Sequence, residues 1–170
     1  MKVISYWLLP LAVLASAGWP STTDDPTVVA GLMFDALRSG DSTAVDTLVS
    51  PEVLRMVGDN LSTLKDQLRD DPEATMLRLA SAGYTAAADE MAGWDEHDYL
   101  RKTVALPIMM ARYAPYSMEI VSQDMSRNSA VLHVNFNTET GISMPSEIVL
   151  ARQRGGIWLV SSFMGLNSFP

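Results

Sequence analysis

The chain reads as an α+β domain, with helices first and an antiparallel meander last. From Asp25 to Tyr113 apolar residues recur at helical spacing, and cap-and-proline signals stand at Asp25-Pro26, Ser50-Pro51 and Asp71-Pro72. From Ser117 onward the period changes to two. Turn residues at Ser126-Arg127-Asn128, Thr140-Gly141 and Arg154-Gly155-Gly156 separate the alternating runs. Helices and strands segregated along the sequence make the α+β class, with the helices packed on one face of the sheet.

Each element has its own signal. Asp25 is placed to cap, and Pro26 to begin, a helix whose stripe is Val29, Leu32, Met33, Ala36 and Leu37, closed by Gly40. A short helix from Ser42 turns Ala44, Val45, Leu48 and Val49 inward. Ser50-Pro51-Glu52 opens a third carrying Val53, Leu54 and Val57, and Leu61, Leu64 and Leu68 form a narrow stripe beyond it. Asp71-Pro72 restarts a helix expected to bury Met76, Leu77 and Leu79 or Ala80. Asp95 caps a last helix, predicted to run through Tyr99, Leu100, Val104 and Ile108 to Tyr113 with a bend near Pro107.

Four strands follow. Met118 and Ile120 begin the first; Ala130, Leu132, Val134 and Phe136 alternate with Val131, His133, Asn135 and Asn137 in the second. Ile148 and Leu150 stand against Glu147, Val149 and Ala151 in the third. In the fourth, Ile157, Leu159, Ser161 and Phe163 stand against Trp158, Val160 and Ser162.

Ahead of this domain, residues 1–17 read as a secretory signal peptide. Lys2 precedes an apolar run, and Ala15-Ser16-Ala17 is a small-x-small cleavage triplet. The run from Val3 to Ala15 contains Pro10 and falls short of the roughly 20 residues that span a bilayer. Residues 18–24 form a polar leader and 25–170 a single domain, with helices over 25–114 and the meander over 117–164. The expected product is periplasmic or secreted and soluble after cleavage near Ala17. With no Cys in the chain there is no lipid-attachment residue and no disulfide, so the fold must rest on core packing. Lys and Arg number 12 against 20 Asp and Glu, a net charge of −8 that argues against nucleic acid and stable binding to anionic membranes.

Ala36-Leu37-Arg38-Ser39-Gly40-Asp41, the short helix from Ala44 to Val49 and the late Gly155-Gly156-Ile157-Trp158-Leu159-Val160 together resemble the nuclear transport factor 2-like superfamily. The resemblance covers residues 25–57 and 117–164. It implies a cone, in which a curved antiparallel sheet wraps around helices, often with a cavity between them. The segment from 58 to 113 is longer than such domains usually supply. A second resemblance is to the exported phospholipid carriers of Gram-negative bacteria, through the signal, the helices-then-strands order, a Trp-x-Val near a Gly, and Gly165-Leu166-Asn167-Ser168-Phe169.

Candidate chemistry is sparse. His97 stands in Asp95-Glu96-His97-Asp98, but helical spacing brings only Asp95 and Asp98 together, so the segment reads as a helix entry and not as a metal site. His133 shares a strand face with Asn135 and Asn137, opposite the more apolar face, and Glu147 on the neighbouring strand is its candidate acid/base partner. No nucleophile elbow and no phosphate-cradling glycine loop is present. The 11 methionines lack the regular close spacing of copper sites and read as core filling or adaptable cavity lining.

The expectation is therefore an exported, non-enzymatic domain without cofactor or metal. It would bind a small apolar ligand, a lipid or a protein partner in the space between sheet and helices, and a homodimer is open to it. The expected lining is Trp94, Tyr99, Met110, Tyr113, Phe136 and Trp158. Two alternatives stand beside it: a periplasmic lipid carrier, and an isomerase or dehydratase using His133 as base with Glu147 or Tyr99 as acid.

Overall fold

A computed structural model describes residues 23–164. Seven helices precede four strands: α1 (Pro26–Ser39), α2 (Ser42–Leu48), α3 (Pro51–Asp70), α4 (Pro72–Ala82), α5 (Ala88–Ala92), α6 (Glu96–Val104), α7 (Pro107–Tyr113), β1 (Tyr116–Met125), β2 (Ser129–Thr138), β3 (Ser143–Arg152) and β4 (Trp158–Ser162). The signal segment, most of the leader and Gly165–Phe169 lie outside the described residues.

The helix starts form where the sequence places them, because each cap satisfies an amide that would otherwise face no partner. Asp25 accepts from Thr27 N, Asp41 from Ala44 N, Ser50 from Val53 N, and Asp95 from Asp98 N. Asp71 does double duty. It ends α3 by donating its backbone N–H to Gln67 O, and starts α4 by accepting from Ala74 N. The third helix is longer than its opening signal suggested. It runs unbroken for 20 residues, about 30 Å, and joins Val53, Val57, Leu61, Leu64 and Leu68 into one buried stripe.

Three expectations are corrected. The bent helix of 95–113 is two helices, because a residue before proline is pushed out of the helical region: Leu106 is extended at φ −67°, ψ 138°, and Pro107 begins α7. On α4, Leu77 is 75% exposed and Ala80 is exposed; Leu79 and Thr75 are the buried positions, since this helix packs mainly on α3. Leu32 and Ile108, expected in apolar stripes, are 41% and 52% exposed. The five-residue α5 was not foreseen; Ala87 precedes it and supplies no capping side chain.

The strands form one antiparallel meander in the order β1-β2-β3-β4. Its inner face carries Leu132, Val134, Phe136, Ile148, Leu150 and Val160, each at most 1% exposed, against the buried stripes of the helices. Two bulges interrupt the pairing, at Ile120/Ser122 in β1 and at Val149/Leu150 opposite Val160/Ser162. A bulge bends its strand and shifts the phase of alternation. The second explains why Trp158, Val160 and Phe163, which differ in parity, are all buried, and why the opposite positions Ile157 and Leu159 are not. At that bulge the Ser161 hydroxyl is buried without a hydrogen-bond partner among the described residues.

Candidate functional site

An open groove of about 750 Å³ lies between α1 and α2. The αL turn at Gly40 (φ 72°) folds α2 back along α1, and the two helices form its walls. Leu32, Ala36, Ala44 and Leu48 supply an apolar surface, and Asp35, Arg38 and Asp41 supply charges of both signs. Thr23 also lines it, and its carbonyl accepts from Trp158 N at 2.9 Å. The sequence offered a partial signal. Val28 and Leu32, one turn apart and each 41% exposed, widen the apolar surface of α1 beyond the stripe that the core needs.

The six side chains expected to line an interior space lie in separate places. Tyr99 stacks with both Tyr84 and Trp94, and Trp94 lies tilted against Tyr84, at ring-centroid separations of 6.2–6.5 Å. Tyr113 and Phe136 belong to another cluster: Phe163 lies 6.2 Å from Tyr113 and 6.0 Å from Phe136, and Phe34 lies 5.7 Å from Phe136. Trp158 is buried beneath the Arg152 guanidinium, 5.6 Å from its ring. Met110 packs against the backbone of Gly40. The five aromatic members are at most 6% exposed.

Tyr113 donates to Met164 O at 2.6 Å, and Tyr84 shares a hydrogen bond with Thr103, whose hydroxyl donates to Tyr99 O at 2.7 Å. Burial pushes the Tyr113 phenol up to about 12 and raises Tyr84 and Tyr99 above the ordinary tyrosine value. Trp94 also edges a surface hollow of about 310 Å³ with Tyr84 and Lys102, whose ammonium stands 5.9 Å from the indole.

His133 lies directly opposite Glu147 in the β2–β3 register, on the sheet face turned away from the core, and is 38% exposed. Its Nδ1 is 3.4 Å from Glu147 Oε1 and its Nε2 is 3.0 Å from Asp124 Oδ2 of β1. The hydrogen bond to Asp124 is the main cause that raises the His133 pKa, with the Glu147 charge adding to it. Three strands thus bring one imidazole and two carboxylates together, and His133 and Glu147 line a shallow hollow of about 330 Å³ with Val121, Asn135 and Pro145. Asp124 could not be found from the sequence, because the β1 bulge shifts it into place.

His97 stands on the first turn of α6 behind the Asp95 cap. Its Nδ1 lies 2.6 Å from Asp46 Oδ1 of α2, and Arg101 reaches the other Asp46 oxygen at 3.5 Å. Among the described residues no three His, Asp or Glu side chains are grouped to hold a metal ion, and no helix is long and apolar enough to cross a membrane.

No family model matches the chain, and no curated protein matches it. A solved structure of an NTF2-like transpeptidase from Campylobacter jejuni is 15% identical, covering 82% of this chain and 100% of that chain, with a TM-score of 0.44. The architecture described above rests on the elements themselves: helices first, then a four-stranded antiparallel sheet whose inner face they cover.

Proposed function

We propose that this chain is an exported, non-enzymatic binding domain, and that the groove between α1 and α2 holds its ligand. The observation that carries the reading is the contrast between the two spaces a ligand could use. The space between sheet and helices is filled by Tyr113, Phe136 and Trp158, so a ligand there must displace packed rings. The groove needs no such rearrangement. Its volume falls in the range of small-molecule pockets, roughly 300–1,000 Å³, and its mix of apolar surface and few charges is typical of them.

The ligand that suits this lining is an apolar group or short apolar chain with a polar end. Asp35, Arg38 and Asp41 supply partners of both signs for that end. The open, half-exposed setting of His133 argues against acid/base catalysis. A base must be neutral to accept a proton, and two carboxylates hold this imidazole toward its charged form.

Native mass spectrometry of the protein purified from a host that exports it tests the reading. The expected spectrum contains a species heavier than the polypeptide, and Leu32→Asp removes the added mass. A bare polypeptide, or an added mass that survives Leu32→Asp, overturns it.

A further inference from the structure

Opposite charges stand unpaired along the α1 wall of the groove. α1 presents Leu32, Asp35, Ala36 and Ser39 to it at helical spacing, and α2 presents Asp41, Ala44 and Leu48 from the other side. Because α2 turns back at Gly40, Arg38 and Asp41 stand at the turn end, and Leu32 and Leu48 at the far end. Arg38 lies about 9 Å along the helix from Leu32, a distance that a medium-length alkyl chain spans. Neither the Arg38 guanidinium nor the Asp35 carboxylate has a hydrogen bond or ion pair among the described residues; Ser39 bonds only the backbone oxygen of Asp35. Asp41 differs, because one of its carboxylate oxygens caps α2 by accepting from Ala44 N at 3.0 Å.

We propose that the groove takes a zwitterionic amphiphile: an alkyl chain, then an ammonium, then an anion. The inference rests on the groove reading above and adds the charge of the ligand's head. A head of one sign fits this lining poorly. A lone anion that reaches Arg38 also meets Asp35, one turn away, and Asp41 beyond the Gly40 turn. A lone cation at Asp35 meets Arg38 in the same way. A head with both charges finds an opposite charge at each point. Depth along α1 sets their order. Asp35 is about 4.5 Å nearer Leu32 than Arg38 is, so the ammonium sits next to the apolar chain and the anion beyond it. The reverse order would set the ammonium against Asp41, whose carboxylate already serves the α2 cap. Both Asp35 and Arg38 are exposed, so direct pairing between them is weak and gives way to a ligand that holds both.

Isothermal titration calorimetry on the purified full chain, processed as its host processes it, tests this with N-octylglycine, octylamine and nonanoate. The three probes share an octyl chain and differ in the head, and they are used at neutral pH below micelle formation. N-octylglycine is expected to bind about tenfold or more tightly than either single-charge probe. Arg38→Gln should bring its affinity down to that of octylamine, and Asp35→Asn to that of nonanoate. Both positions are exposed, so circular dichroism of the two variants should match the wild type. Leu32→Asp should abolish binding of all three probes. A single-charge probe that binds as tightly as N-octylglycine, and is lost in Leu32→Asp, overturns the head assignment and leaves the groove. N-octylglycine binding that ignores both Arg38→Gln and Asp35→Asn overturns the assignment as well. No binding of N-octylglycine also overturns it, whereas the groove reading stands or falls by the added mass described above. Binding that survives Leu32→Asp overturns both.

Discussion

Asp46 on α2 and His97 on α6 meet at 2.6 Å, Oδ1 to Nδ1, across 51 positions of sequence. Arg101, one turn further along α6, closes on the second Asp46 oxygen and on Asp98. One carboxylate, 16% exposed, therefore ties the helix that walls the groove to the helix that carries the Tyr99 cluster.

The contact sets a pH dependence. The Asp46 hydrogen bond is the main cause that raises the His97 pKa, with the Asp46, Asp95 and Glu96 charges adding to it. A raised histidine pKa means that the folded state binds the proton more tightly. The stabilisation is fully present below the unfolded value near 6.5 and is lost as pH rises through the folded value above it. His97 is 42% exposed, so solvent screening keeps the effect within about 1 kcal/mol. Urea denaturation across pH 5–9 should show stability falling with pH, more steeply in His133→Gln, where His97 alone remains, than in Asp46→Asn/His133→Gln. Equal slopes in those two proteins would sink the assignment.

Gly40 has two reasons to be glycine, and they separate experimentally. Its φ of 72° is left-handed, and a Cβ there would stand 2.6 Å from Met110 Sδ. Gly141 has a similar φ of 84° with nothing within 4 Å of a Cβ. Gly141→Ala should therefore show backbone strain alone, about 1 kcal/mol. Gly40→Ala should add the displacement of Met110, to a total of about 2–3 kcal/mol. Chemical denaturation that gave the two variants the same loss would show that the α1–α7 contact yields freely.

Helix α4 gives a sharp contrast between neighbours. Leu79 is 3% exposed against α3, and Leu77 is 75% exposed. Leu79→Ala should cost about 2–3 kcal/mol, whereas Leu77→Ala should stay within about 0.5 kcal/mol. A comparable loss at Leu77 would mean that this face of α4 is covered in solution.

The legible part of the fold was the part set by local chemistry. The caps at Asp25, Ser50, Asp71 and Asp95 and the phase of β2 and β3 depend on residues a few positions apart, and they stand where the sequence puts them. Leu77 illustrates what was not legible. Helical spacing gave α4 a stripe, but only the placement of α3 decides which side of that stripe is buried. The candidate site was harder still. Leu32 belongs to the apolar stripe of α1 by spacing, yet α2 turns back at Gly40 and leaves it open to the groove. Asp46 and Asp124, the partners of the two histidines, become visible only through long-range helix packing and a strand bulge.

The buried hydroxyls of the Tyr84 cluster predict an asymmetry. Tyr84 and Thr103 share a hydrogen bond, and Thr103 also donates to Tyr99 O. Tyr84→Phe removes the bonds to Thr103 and Tyr99 but takes the buried hydroxyl away with them and leaves the Thr103 hydroxyl with Tyr99 O as its acceptor, so the loss should be about 1 kcal/mol. Thr103→Val removes both of the Thr103 bonds and leaves the Tyr84 hydroxyl with Tyr99 as its remaining partner, a cost of about 2 kcal/mol. Desolvation also raises the Tyr84 pKa above its ordinary 10.0. The neutral phenol therefore stabilises the folded state below pH 10, and this contribution falls away as pH rises through the folded value. Tyr84→Phe should accordingly unfold less steeply than the wild type in alkaline solution. Denaturation of the two single variants and the double variant at neutral pH, and of Tyr84→Phe above pH 10, measures both effects. If Tyr84→Phe proved as costly as Thr103→Val, the Thr103–Tyr99 bond would not be holding that hydroxyl, and this account of the cluster would fail.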